Sequence, residues 1–155
     1  FQQAKDLMPS ISGAIVGRGA LKNPFVFHEI KNPDFSFSKQ EIGFVWYALY
    51  SYALLVEIYK TNYENFRSLI LEGLFDDVYL NDENRWETLF EVLYESCFSK
   101  KYNKSAQENV STVTLGRVKL FWGNFLKGFL SHVDGRSLLR ASESSSFFDG
   151  LSQVL

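Results

Sequence analysis

The sequence predicts a mainly α fold: an all-helical C-terminal bundle preceded by one strand–helix unit of the parallel α/β kind. Three observations predict it. Apolar residues recur at helical spacing, most cleanly at Val118, Phe121, Trp122, Phe125, Leu126 and Phe129, which fall at i, i+3, i+4, i+7, i+8 and i+11. A short apolar run with turn signals on both sides, Gly13-Ala14-Ile15-Val16, reads as a buried strand near the start. The composition supplies the core: 46% of the 155 residues are hydrophobic and 17% aromatic, which excludes a disordered chain and suits about one domain.

Along the chain, Phe1–Leu7 reads as the tail of a helix stopped by Pro9. The strand at 13–16 runs into the glycine turn Gly17-Arg18-Gly19. Asn23-Pro24 then matches a helix start, asparagine as cap and proline at the first helical position, ahead of the apolar stretch Phe25–Ile30. One buried strand cannot form a sheet alone, so this segment reads as the last unit of a parallel array. Residues 31–38 form a linker, and Ser38 with Glu41 makes a capping box that opens a long helix to about Lys60. Between Ile42 and Ile58 only Gly43, Ser51 and Glu57 are neither apolar nor aromatic. That run reaches the short limit of a membrane span, about 17–25 residues, but its tyrosines favour the central helix of a bundle.

Further helices are expected over Asn62–Phe75, with apolar spacing at Phe66, Leu69, Ile70 and Leu74, and from an Asp82 cap through Trp86, Leu89, Phe90, Leu93 and Tyr94. Lys100–Lys104 reads as a polar turn. Ser105 with Glu108 makes a second capping box before the most regular helix, which the period carries to Phe129. Asp134-Gly135 is a turn, and Ser146 with Asp149 opens a last short helix. The chain opens at Phe1 with no basic stretch running into an apolar one, so no signal peptide is expected, and the chain reads as excised or incomplete.

Charge is divided unevenly. The whole chain carries 16 Lys and Arg against 18 Asp and Glu, but residues 1–98 hold 8 against 14 and residues 99–155 hold 8 against 4. A basic C-terminal third on an acidic remainder is the pattern of a polyanion-binding face, or of a solvated surface. On the last long helix Arg117, Asn124 and Lys127 lie away from the apolar stripe and Lys119 borders it. These cations form a candidate phosphate-contacting ridge, joined by Arg136 and Arg140. The strand end offers a second anion site: amides freed by Gly17 and Gly19 can face a phosphate, with Arg18 adding a guanidinium fork. The one cysteine, Cys97, cannot form a disulfide within the chain and reads as a buried structural thiol. His28 and His132 are isolated, with no Cys or carboxylate at ligand spacing, so no metal site is expected. The paired carboxylates Asp76-Asp77 and Asp82-Glu83 sit at helix ends, where they offset the helix dipole.

Two segments together resemble the tRNA-dihydrouridine synthases. Gly13-Ala14-Ile15-Val16-Gly17-Arg18-Gly19-Ala20-Leu21-Lys22-Asn23-Pro24 resembles that family's last barrel strand and the turn that closes its flavin phosphate site. Gly116-Arg117-Val118-Lys119-Leu120-Phe121 is similar to its helical domain, most of all in the branch that acts on uridine 16 of the D-loop. The ending, Leu139-Arg140 with Ser145-Ser146, is similar to the family's C-terminus. The resemblance implies that residues 1–30 are the C-terminal end of an FMN-binding TIM (β/α)8 barrel. Residues 31–155 would be a helical tRNA-binding domain with an acidic insertion at about 60–105. It implies a cytoplasmic enzyme that uses FMN and NADPH to reduce uridine in tRNA, with no membrane partner. Gly17 and Arg18 would hold the FMN phosphate, and Arg117, Lys119, Lys127 and Arg140 would face tRNA. The family's general acid, a barrel-loop cysteine, would lie upstream of Phe1, and Cys97 is not its counterpart. Two other readings fit the residues: a stand-alone helical RNA-binding or protein-interaction module, and a different FMN-dependent barrel enzyme.

Overall fold

The computed structural model describes residues 6, 17–32, 34, 36, 38–71, 85–98 and 110–155. These fold as helices joined by turns: α1 Arg18–Lys22, α2 Val26–Lys31, α3 Lys39–Thr61, α4 Tyr63–Leu71, α5 Arg85–Phe98, α6 Thr112–Phe125, a 3-10 helix Arg136–Arg140 and α7 Ser144–Val154. The expected mainly helical fold is therefore present. The strand expected at 13–16, the helix tail at 1–7, the Asp82 cap, the polar turn at 100–104 and the box Ser105–Glu108 lie outside the described residues.

The centre of the fold is α3, which packs against α4, α5, α6 and α7. It starts directly after Ser38, whose carbonyl accepts from the Ile42 amide at 3.2 Å. Its buried side chains Val45, Leu49, Tyr50, Ala53, Leu54 and Ile58 meet Leu89 and Leu93 of α5, Val118 and Trp122 of α6, and Phe147, Phe148 and Leu151 of α7 in one core. By length and composition Ile42–Thr61 could also cross a membrane. In this fold its inward side is covered by four other helices. Trp46 ties the far end of the chain to it: its indole N–H donates to the Phe148 carbonyl at 2.9 Å, and its ring meets Phe90 and Phe148 edge-on or tilted. Asn62 sits between α3 and α4 and caps the latter, its side-chain oxygen accepting from the Asn65 amide at 3.0 Å.

Four boundaries differ from the sequence reading, each for a local reason. The glycine turn at 17–19 is itself helical, Arg18 opening α1 directly after Gly17. The next helix begins at Val26 rather than at Pro24, because the Asn23 side chain accepts from the Phe25 amide at 3.0 Å and closes a turn first. The helix expected from Ser105 to Phe129 is α6 alone. Ser111 caps it, accepting from the Thr114 amide, and it stops at Phe125. The apolar period overshoots that end because the turns beyond it keep Leu126 and Leu130 buried. The last helix opens at Ser144, two residues before the expected Ser146, since the buried Ser144 hydroxyl is held by the Val110 amide at 3.0 Å.

Candidate nucleic-acid interface

The outward side of α6 and the segment after it carry the candidate cations. A helical turn places Gly116, Leu120 and Gly123 on one face, with Arg117 and Asn124 beside them. The opposite side, Thr114, Leu115, Val118 and Trp122, is buried. Trp122 is fully buried, and its indole donates to the Gly135 carbonyl at 2.9 Å, which fixes the 3-10 helix next to α6.

The structure separates the sequence-predicted residues into three situations. Arg117, Lys127, Arg136 and Arg140 are exposed, and none of the four pairs with a carboxylate among the described residues. Lys119 is half-buried and engaged: its ammonium donates to the Ala141 carbonyl at the end of the 3-10 helix. That bond makes Lys119 a strut between α6 and the segment carrying Arg136 and Arg140. Gly17 and Arg18 are exposed at the start of α1; among the described residues no side chain caps its amides, and nothing stands within 4 Å of where a Gly17 side chain would be.

Lys127 and Arg136 meet at one place. With Gly123, Leu126 and Leu139 they line a pocket of about 370 Å³ between α6 and the 3-10 helix. Arg117, in the second turn of α6, does not line it.

The helix α1 and the segment after α6 are in contact here. The Lys22 carbonyl, at the end of α1, accepts from the Phe129 amide at 3.4 Å, and Phe25 meets Phe129 edge-on. Gly128 permits this approach, since a Cβ there would stand 2.1 Å from the Lys22 oxygen. The glycine–arginine turn and the basic segment, about a hundred residues apart in sequence, are thus neighbours.

A polar cluster that sequence reasoning missed sits at the other end of α6. The Glu57 carboxylate accepts from the Ser111 hydroxyl at 2.6 Å, the Ser111 amide at 3.2 Å and the Thr114 hydroxyl. Lys60 donates to Thr114 at 2.7 Å and lies 3.6 Å from Glu57. Burial pushes Glu57 upward, but these hydrogen bonds and the Lys60 charge outweigh it and hold the carboxyl below its ordinary value. The signal was Glu57 itself, a charge inside an apolar run, although nothing local in sequence pairs it with Ser111. The cluster joins the end of α3 to the start of α6. Cys97 packs against the core nearby, and burial, with a smaller push from the Glu57 charge, raises its thiol to about 11. A thiol so shifted is a poor nucleophile.

No family model, no curated protein and no solved structure matches the chain.

Proposed function

We propose that the chain is the C-terminal part of a tRNA-dihydrouridine synthase, with residues 1–30 ending an FMN-binding (β/α)8 barrel and residues 31–155 forming the helical domain that positions tRNA. The observation that carries this reading is the packing of α1, within the first segment of family resemblance, against α6, which carries the second, with Lys22 also meeting Gly128 and Phe129 just beyond α6. A flavin enzyme acting on tRNA needs its phosphate clamp and its RNA-facing surface in fixed relation, and this contact supplies one.

The start of α1 suits a phosphate. Gly17 leaves the approach open, the first amides of α1 lack a side-chain cap, and Arg18 is exposed beside them. Bound FMN, reduced by NADPH, would supply the hydride that saturates the C5–C6 bond of uridine. In this reading Gly17 and Arg18 hold the flavin phosphate. Arg117, Lys127 and Arg140 attract the tRNA backbone, and Lys119 sets the spacing of the cationic surface through Ala141.

A second reading, a non-catalytic helical RNA-binding or interaction module, is favoured by one feature. The core is built from α3 to α7 and their joining turns, and α1 and α2 bury no residue fully. A tRNA gel shift and a flavin spectrum separate the two from each other and from a protein with neither role. Binding of tRNA that collapses in Arg117→Ala/Arg140→Ala is expected on both RNA readings. A barrel-bearing longer chain that retains FMN, and loses it in Arg18→Ala, selects the synthase. The 155-residue chain is expected to bind tRNA without retaining stoichiometric FMN, since one strand cannot close a barrel.

A further inference from the structure

The pocket beside Gly123 has features that a bare ridge of cations lacks. Its volume, about 370 Å³, lies within the roughly 300–1,000 Å³ span of small-ligand sites. Its lining is divided in chemistry: Leu126 and Leu139 are apolar, while Lys127 and Arg136 bring two positive charges that no described carboxylate neutralises. Gly123 keeps the cleft open, because a Cβ there would already touch the Leu139 side chain at 3.7 Å. Apolar surface continues one turn back at Leu120, which is 67% exposed. An occupant that satisfies all of this is compact, anionic at one end and able to rest on apolar surface at the other.

We propose that this pocket receives one nucleotide of the bound RNA, its phosphate held by Lys127 and Arg136 and its base resting on Leu126 and Leu139. The assignment rests on the RNA-facing reading above and deepens it. It adds Gly123, Leu126 and Leu139 to the residues that recognise RNA. Among the described residues no aromatic side chain lines the pocket, so the base contact falls to the two leucine side chains. Such a site favours an unstacked loop nucleotide over one within a duplex.

The test uses the 155-residue chain and a fluorescently labelled tRNA, titrated at several salt concentrations. Lys127→Ala and Arg136→Ala are each expected to weaken binding and to lower the slope of log affinity against log salt by about 0.7–0.9. Gly123→Leu, which fills the pocket and removes no charge, is expected to weaken binding several-fold with the slope unchanged. Leu139→Gln, at a side chain already 39% exposed, is expected to weaken binding in the same way if Gly123→Leu misfolds. Wild-type affinity in both Gly123→Leu and Leu139→Gln, with binding still lost in Arg117→Ala/Arg140→Ala, overturns the pocket while leaving the RNA reading intact. Failure of the wild-type chain to bind tRNA at low salt overturns both.

Discussion

At the scale of single residues, two glycines do what no side chain could. Gly135 stands so close to the buried Trp122 ring that a Cβ would approach it to 2.3 Å, and its carbonyl receives the indole N–H. Gly135→Ala must therefore displace a packed ring. A loss of about 1–3 kcal/mol is expected in urea unfolding, the range for overpacked cores, and an unchanged midpoint would show that the ring is not so confined. Glu57 makes a pH-dependent contribution. Its carboxyl is held below the ordinary 4.5, so the stability it adds is complete above that value and is lost as pH falls through the lower, folded-state one. The stability difference between wild type and Glu57→Gln should be largest near neutral pH and shrink below about pH 4.5; a difference that stays constant from pH 7 to pH 3 would contradict this. The buried side of α6 was legible residue by residue because Val118 and Trp122 recur at helical spacing. Gly128 was not. Its role depends on the Lys22 backbone, which local sequence does not reveal.

At the scale of elements, the order of helices from α2 to α7 was readable, whereas α1 was read as a glycine turn and some helix ends were misplaced. Capping spacing and composition located α3 closely, since the Ser38–Glu41 box leads into a run from Ile42 to Ile58 interrupted only by Gly43, Ser51 and Glu57. They misplaced the start of α6, because Ser105-to-Glu108 spacing matches a capping box whereas Ser111 caps with Thr114 and recruits Glu57 from another helix. The same holds for α7, whose start follows from Ser144 bonding Val110 across the fold. An all-round apolar helix such as α3 also gives no direction for its neighbours. Its partners follow from packing: Leu54 and Ile58 are buried where helices converge. Leu54→Ala is expected to cost about 2–5 kcal/mol, as for large-to-small changes in well-packed cores. Cost well under 1 kcal/mol in chemical denaturation would mean that α3 is not the centre of the core.

For the whole molecule, the uneven charge distribution and the contact between α1 and the segment after α6 matter most. The basic excess of residues 99–155 was visible from composition. The structure leaves Arg117, Lys127, Arg136 and Arg140 exposed, while Lys119 is drawn into a structural bond. Composition could not make that distinction, since a lysine engaged by a backbone carbonyl and one facing solvent read alike in sequence. The central claim is that this surface was shaped for RNA. Equilibrium binding of tRNA to the 155-residue chain as a function of salt tests it most directly. Binding at low salt is expected to weaken steeply as salt rises, with a slope made shallower in Arg117→Ala/Arg140→Ala by about 0.7–0.9 for each lost phosphate contact. No binding at low salt, or a slope indifferent to both substitutions, would contradict it.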